Sequence, residues 1–88
     1  MKIEKRHDDM LTTRLETVLN VGVAHILWKE MYMWYDVKKI AVRTLRNLTD
    51  RWEDLTEGEH GKLMQVRGSE GIFLMAEKSI EPIHAPED

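Results

Sequence analysis

The feature that most constrains this 88-residue chain is an apolar segment over residues 18–35. Its polar residues Asn20, His25, Lys29 and Glu30 fall on no common side when the segment is drawn as a helix with 100° per residue. A helix that is apolar nearly all round must be covered on several sides. Because the chain is short, few other residues are left to cover this segment. We therefore expect part of it to contact another molecule.

Two long helices are predicted from the spacing of apolar residues. The first runs over residues 9–34, where Leu11 and Leu15 begin a series at helical spacing. The second, over residues 36–54, has an apolar side and an opposite basic side. We place the break between them near Asp36, because aspartate is favourable at a helix N-terminus. In a compact fold these helices must be antiparallel neighbours.

A change of composition after residue 55 indicates a different structure toward the C-terminus. Four of the five glycines fall within 14 residues there, which favours a β-hairpin around the loop 68–71. In that hairpin Val66 faces Phe73 and Met64 faces Met75. The alternative is two short helices, the first of which would have to contain two glycines at a cost of roughly 1 kcal/mol each.

The predicted fold is therefore α+β and mainly α, with two long antiparallel helices followed by a C-terminal β-hairpin. A strand over residues 2–5 could extend the edge of the hairpin. The alternative architecture is all-α, with three to four helices. A single domain is expected over residues 1–80, followed by a flexible acidic tail over residues 81–88, whose two prolines prevent regular pairing.

Several classes of function are excluded or disfavoured by composition and motifs. The chain has no cysteine, which excludes disulfides and thiolate-bound zinc. It contains no nucleophile-elbow, phosphate-loop or dinucleotide signature. One Glu57-x-x-His60 pair beside two glycines is too little for a metal centre. We therefore predict no enzyme, no metal and no cofactor.

The location expected from the sequence is cytoplasmic. Charges of both signs in the first nine residues are unlike a secretory signal. Charged residues within segment 18–35 would cost roughly 2.5–3.5 kcal/mol each in a bilayer, so no membrane partner is expected.

Aromatic and methionine residues crowd into the apolar segment, and such side chains are enriched at the centres of protein interfaces. We predict a small interaction protein, an inhibitor, adaptor or assembly component, that forms a homo-oligomer or binds a protein partner. Bacteriophage accessory proteins often have this character. The predicted interface residues are Val21, Ile26, Leu27, Trp28, Met31, Tyr32, Trp34 and Tyr35.

A basic stripe on the second helix supports an alternative function. Lys39, Arg43 and Arg46 share one side and could bind nucleic acid or another anionic ligand through phosphate contacts. The chain as a whole has a net charge of −3, with 13 basic and 16 acidic residues, which argues against nucleic acid. Asp50 also stands four residues after Arg46, as expected of an ordinary solvated face.

Overall fold

The computed structural model describes residues 2–83, which form three helices on one face of a three-stranded antiparallel sheet. The α+β class is confirmed, and the all-α alternative is wrong. Residues 84–88 of the predicted tail lie outside the described part of the chain. The elements in order are α1 (Lys5–Val21), β1 (Val23–Leu27), α2 (Trp28–Tyr35), α3 (Val42–Thr56), β2 (Leu63–Arg67), β3 (Gly71–Ala76) and a 3-10 turn (Glu77–Ser79).

The prediction of one helix over residues 9–34 is wrong, because the helix ends at Gly22. This glycine has a φ of 110° and donates its backbone N–H to the Val18 carbonyl at 2.9 Å. That left-handed conformation is strained for residues with a side chain, and it commonly ends helices. Gly22 therefore turns the chain out of α1 and into a strand.

The next element is strand β1, whose side chains alternate between a buried side and an exposed side, as in a half-buried strand. Ala24 and Ile26 are buried, and the residues between them face outward. The strand pairs antiparallel with β3, and the sheet order is β1-β3-β2. The option of a strand over residues 2–5 is wrong, since the third strand of the sheet comes from residues predicted to be helical.

The predicted C-terminal hairpin is confirmed, including its register. Val66 faces Phe73 and Met64 faces Met75 across β2 and β3. The ladder continues beyond both strand ends. Glu77 donates its N–H to the Lys62 carbonyl at 2.8 Å at one end, and the Gly68 N–H bonds to the Gly71 carbonyl at 2.8 Å at the other.

The boundaries of the second long helix are also corrected. The chain breaks near Asp36 as predicted, but Asp36 ends α2 in a left-handed conformation with a φ of 53° and does not begin the next helix. Aspartate is one of the few residues with a side chain that visit this region readily. Helix α3 begins six residues later, at Val42, so the two predicted helices become three shorter ones.

The core lies between the helices and the inner face of the sheet. Helix α1 packs on β1, β3 and the other two helices. Within residues 2–83 the structure leaves no buried side-chain polar atom without a hydrogen-bond partner. The buried apolar residues are Leu11, Leu15, Val18, Ala24, Ile26, Met31, Trp34, Tyr35, Leu48, Trp52, Ile72, Leu74 and Ala76.

A polar network joins the three helices at one side of this core. The Tyr35 hydroxyl donates to Asn47 Oδ1 at 2.9 Å, and Arg51 Nε donates to the same oxygen at 2.7 Å. Arg51 Nη1 also forms an ion pair with Asp8 at 2.6 Å. Burial raises the pKa of Tyr35 to about 12 despite the nearby Arg51 charge. The phenol therefore stays neutral and able to donate.

The outer edge of β1 is covered by an ion pair between α1 and α2. Arg14 Nη1 donates to the His25 carbonyl at 2.7 Å, and Arg14 Nη2 lies 2.9 Å from Glu30 Oε2. Glu30 Oε1 accepts the Leu27 N–H at 2.9 Å, as helix N-terminal glutamates do. Two backbone groups at this edge of the sheet, the His25 carbonyl and the Leu27 N–H, are thus bonded within the chain itself.

We predict that this ion pair makes folding stability dependent on acid. Partial burial raises the pKa of Glu30, but the Leu27 hydrogen bond and Arg14 outweigh it, so the net pKa lies below its ordinary value of 4.5. The stabilisation is therefore present above pH 4.5 and is lost as pH falls through the folded-state pKa. In urea unfolding, Glu30→Gln should cost about 1–3 kcal/mol at neutral pH and flatten the acid dependence.

The matched control for Glu30→Gln is Asp9→Asn, which breaks the Lys5–Asp9 pair. That pair is also close, at 3.0 Å, but its side chains are 86% and 61% exposed. Exposed pairs contribute little to stability, so this variant should unfold like the wild type. Equal losses from both substitutions would contradict the role given to the Arg14–Glu30 pair.

Candidate interaction surface

The outward side of the sheet, here called the outer face, is apolar and uncovered within the described chain. Antiparallel sheets with one free face usually present polar side chains on it. Here Val23 is 44% exposed, Phe73 41% and Val66 55%. No Asp, Glu, Lys or Arg is among the outward residues of the three strands. They are Val23, His25, Leu27, Met64, Val66, Gly71, Phe73 and Met75.

The centre of the outer face is a stacked pair of rings. The His25 imidazole lies parallel to the Phe73 ring, with centroids 4.2 Å apart and planes 12° apart. Trp28 donates its N–H to the Glu70 carbonyl, so residues 28 and 70 form a hydrogen-bonded pair. His25 and Phe73 are then a non-hydrogen-bonded pair, in which side chains approach most closely. The His25 ring is half-buried on this face.

Gly71 leaves room for the His25 ring beside it on the outer face. A Cβ on Gly71 would meet the Ile26 carbonyl oxygen, Leu27 Cα at 2.8 Å and His25 Nε2 at 2.9 Å. The close approach of backbone to backbone requires glycine here. The result is a smooth apolar surface that continues from β1 across β3 to β2.

The predicted interface residues separate into three groups. Ile26, Met31, Trp34 and Tyr35 are 0–3% exposed and belong to the core. Leu27 and Trp28 are half-buried, and Leu27 is part of the outer face. The two exposed members are Val21, at 73%, and Tyr32, at 39%.

Strand β1 explains why four of these side chains lie inside. A strand divides the apolar segment into pieces that the sheet and α1 can cover, whereas a single continuous helix would have remained uncovered. Trp28 illustrates the packing, because its indole N–H donates to the Gly68 carbonyl at 3.0 Å and Arg67 stacks on its ring at 5.6 Å. The segment therefore contributes mostly to the core of its own chain.

Sequence reasoning missed the residues that form most of the outer face. The hairpin register already placed two apolar pairs, Val66 with Phe73 and Met64 with Met75, on one side, and these two pairs were the available signal. Two things could not be predicted. Residues 9–34 were assigned to one helix, so Val23 was not recognised as a strand residue. The register of a hairpin also does not specify which of its sides the helices cover.

The predicted basic stripe is only partly on one helix. Lys39 lies in the connection between α2 and α3, while Arg43 and Arg46 are exposed on α3. Neither arginine forms an ion pair within residues 2–83, and the expected pairing of Arg46 with Asp50 is absent from that range. These two arginines, with Asn47 and Asp50, line a shallow open depression of about 200 Å³.

A second exposed apolar patch lies between α1 and α2. Met10 and Met33 are 40% and 57% exposed, and they border an open depression of about 460 Å³ above Trp34. Charged Arg6 and Glu30 line the same depression, so this patch is mixed in charge, whereas the outward residues of the sheet are uncharged.

Among residues 2–83, no three His, Asp or Glu side chains are grouped as metal ligands would be. No helix in this range has both the length and the apolar character needed to cross a bilayer.

Comparison with known proteins gives no relative. No family model matches the chain, and neither a curated protein nor a solved structure is significantly similar to it.

Proposed function

We propose that this chain is a small non-enzymatic interaction protein that self-associates by packing its outer face against that of a second copy. The observation that carries the proposal is the uncharged, exposed outer face, with the His25 and Phe73 rings at its centre. Contiguous exposed apolar surface of this kind usually marks a protein contact. An assembly component, adaptor or inhibitor would be built in this way.

Burial of the outer face would also stabilise the fold. Val23, Phe73 and Val66 are 44%, 41% and 55% exposed in the single chain. Apolar surface removed from water contributes roughly 25 cal/mol per Å².

A second copy is the partner that fits the outer face best. The face carries no fixed charge to select a foreign partner, and an apolar surface is complementary to itself. Two copies related by a two-fold axis place the same patch in contact twice, the commonest arrangement among oligomers. Phe73 would then lie at the centre of the contact, where most binding energy is found.

Molar mass by light scattering over a dilution series tests the proposal. At high concentration we expect a multiple of the 10.4 kDa chain mass. The mass should persist at high salt, since apolar contacts are not weakened by ionic screening. A chain that remains monomeric at every concentration up to the millimolar range would overturn the proposal.

A second candidate function, binding of nucleic acid or another anion, rests on the unpaired state of Arg43 and Arg46. Lys39 is close in sequence and also exposed. If these cations bind phosphates, affinity for a short single-stranded oligonucleotide should fall steeply with salt. Replacing both arginines by glutamate should then abolish that binding and leave the molar mass unchanged. No binding by the wild type at low salt would remove this candidate.

A further inference from the structure

The sheet has one partly covered edge, at β1, and one open edge, at β2. Lys62, just before β2, and Gly68, just after it, form backbone hydrogen bonds with the chain of β3. Between them, Met64 and Val66 are therefore the residues of β2 whose backbone groups point toward β3. Backbone groups alternate in direction along a strand. The N–H and C=O groups of Leu63, Gln65 and Arg67 therefore point away from β3, and none bonds to another element within residues 2–83.

This open edge lacks the usual protection against pairing. Natural edge strands carry inward charges, prolines, bulges or a covering helix. Strand β2 pairs continuously with β3, without a bulge or a proline. Its one charged residue, Arg67, stacks over Trp28 of its own chain at 5.6 Å. At the opposite edge, Arg14 bonds to the His25 carbonyl and Glu30 to the Leu27 N–H of β1, so that edge is partly occupied, whereas no outward group of β2 has a partner within residues 2–83.

We propose that β2 pairs antiparallel with β2 of a second copy, with Gln65 opposite Gln65 of the partner subunit, to form a six-stranded sheet. The inference rests on the proposed self-association and adds a second contact to it. In this register the outward backbone groups of both strands meet, and each facing pair exchanges its hydrogen bonds. On the outer face, Met64 lies opposite Val66 of the partner subunit.

Strand overlap and charge together select this register among the alternatives. Moving the two-fold axis by one residue in either direction leaves two residues of each β2 unpaired. Moving it by two residues, to Arg67, would also place Arg67 opposite Arg67 of the partner subunit, and like charges directly opposite are destabilising. Parallel pairing in register would align the same charges. A shift in the other direction would leave much of β2 unpaired. Centring on Gln65 uses the whole strand and opposes no like charges.

The area of the outer face also favours a second contact. Three strands of five residues present about 240 Å² in projection, whereas a stable interface buries about 800 Å² per partner. Edge pairing doubles the width of the face and makes it continuous across the two-fold axis. Two such six-stranded sheets packed by their outer faces form a closed assembly of four copies with 222 symmetry, a common arrangement.

Substitution of Gln65 by proline isolates the edge contact. Proline removes the outward N–H of residue 65 and puts its ring at the edge, but it leaves the β2–β3 hydrogen bonds intact. The control is Gln65→Ala, which keeps the N–H. Sedimentation equilibrium should show four times 10.4 kDa for the wild type and Gln65→Ala, and half that mass for Gln65→Pro. A folded Gln65→Pro protein with the wild-type mass would overturn the edge contact.

A charge pair tests the register without relying on proline. Lysine at position 65 faces itself across the two-fold axis, and so does glutamate, so Gln65→Lys and Gln65→Glu should each have half the wild-type mass. Mixing the two variants should restore the full mass at low salt, because opposite charges then face each other. A mixture that remains at half mass would contradict the Gln65-centred pairing.

The molar mass of Phe73→Lys, compared with that of Gln65→Pro, shows whether the edge contact, the outer-face contact or both are wrong. If the wild type is a dimer that Phe73→Lys dissociates and Gln65→Pro does not, the outer-face contact stands and the edge contact is wrong. If Gln65→Pro dissociates the dimer and Phe73→Lys does not, the edge contact stands alone. A wild-type monomer at all concentrations would overturn both.

Discussion

Replacing Phe73 by lysine should weaken outer-face association by two orders of magnitude or more. Phe73 lies on the central strand β3 and is 41% exposed in the single chain, so an outer-face contact would bury the rest of its ring. Removal of a central aromatic residue from an interface typically costs about 2–4 kcal/mol. The new ammonium group would also face its equivalent across the two-fold axis, in an environment without carboxylates. Sedimentation velocity over a concentration series measures the change.

The control for Phe73→Lys is Val42→Lys, which places the same charge on an exposed apolar residue. Val42 is 70% exposed at the start of α3, away from the outer face. Its substitution should leave association unchanged. Thermal melting should show that both variants fold, because neither side chain is part of the core. Equal association of the two variants would exclude the outer face as the contact.

Replacing Trp52 by alanine should unfold most of the protein at 37 °C. Trp52 is completely buried, its indole N–H donates to the Gly61 carbonyl at 3.0 Å, and His60 packs edge-on against its ring. Such a truncation typically costs about 3–5 kcal/mol. A domain of this length has about 4–13 kcal/mol in total. Small domains bury a smaller fraction of their surface and lie near the lower end of that range, so the loss approaches the whole stability. Circular dichroism and urea titration measure it.

Two further substitutions check the reason given for the Trp52 effect. Trp52→Phe keeps most of the apolar volume but leaves the Gly61 carbonyl without its donor, so its loss should be smaller, about 1–3 kcal/mol. Trp28→Phe removes a half-buried indole bonded to Gly68 and should cost less still. A Trp52→Ala protein whose melting temperature falls by only a few degrees would contradict the central position of this residue.

The C-terminal half of the fold could be predicted because local signals there agree. Glycines at 68 and 71 define the hairpin turn, and facing residues in the predicted register are complementary. Residues 18–35 gave conflicting signals. Their apolar residues fit helical spacing, yet Gly22 ends α1 and Val23 begins a strand that is stabilised only by pairing with β3, more than 40 residues later in the chain. Pairing of β1 with the distant strand β3 therefore outweighed the local helical spacing of the apolar residues.

The existence of an exposed apolar surface could be predicted from the sequence, but its location could not. The sequence indicated that apolar surface exceeds what the chain can cover and placed the excess on residues 18–35, whereas the exposed Met64, Val66 and Phe73 of the outer face lie in the hairpin. The location depended on which face of the sheet the helices cover, and no local pattern specifies that. Phe73 and Val66 are outward only because α1 and α2 pack on the side that carries Ile72 and Leu74.

The methionines provide the most direct test of the central claim, that the outer face is covered by another copy. Met64, at 37% exposed, lies on that face, while Met10 and Met33, at 40% and 57%, lie on the helical side. Peroxide oxidises accessible methionines to the sulfoxide, and peptide mass spectrometry reads each site. We predict that Met64 is protected relative to Met10 and Met33 at high protein concentration, and reacts like them after dilution. Equal oxidation of Met64, Met10 and Met33 at high concentration would contradict the claim.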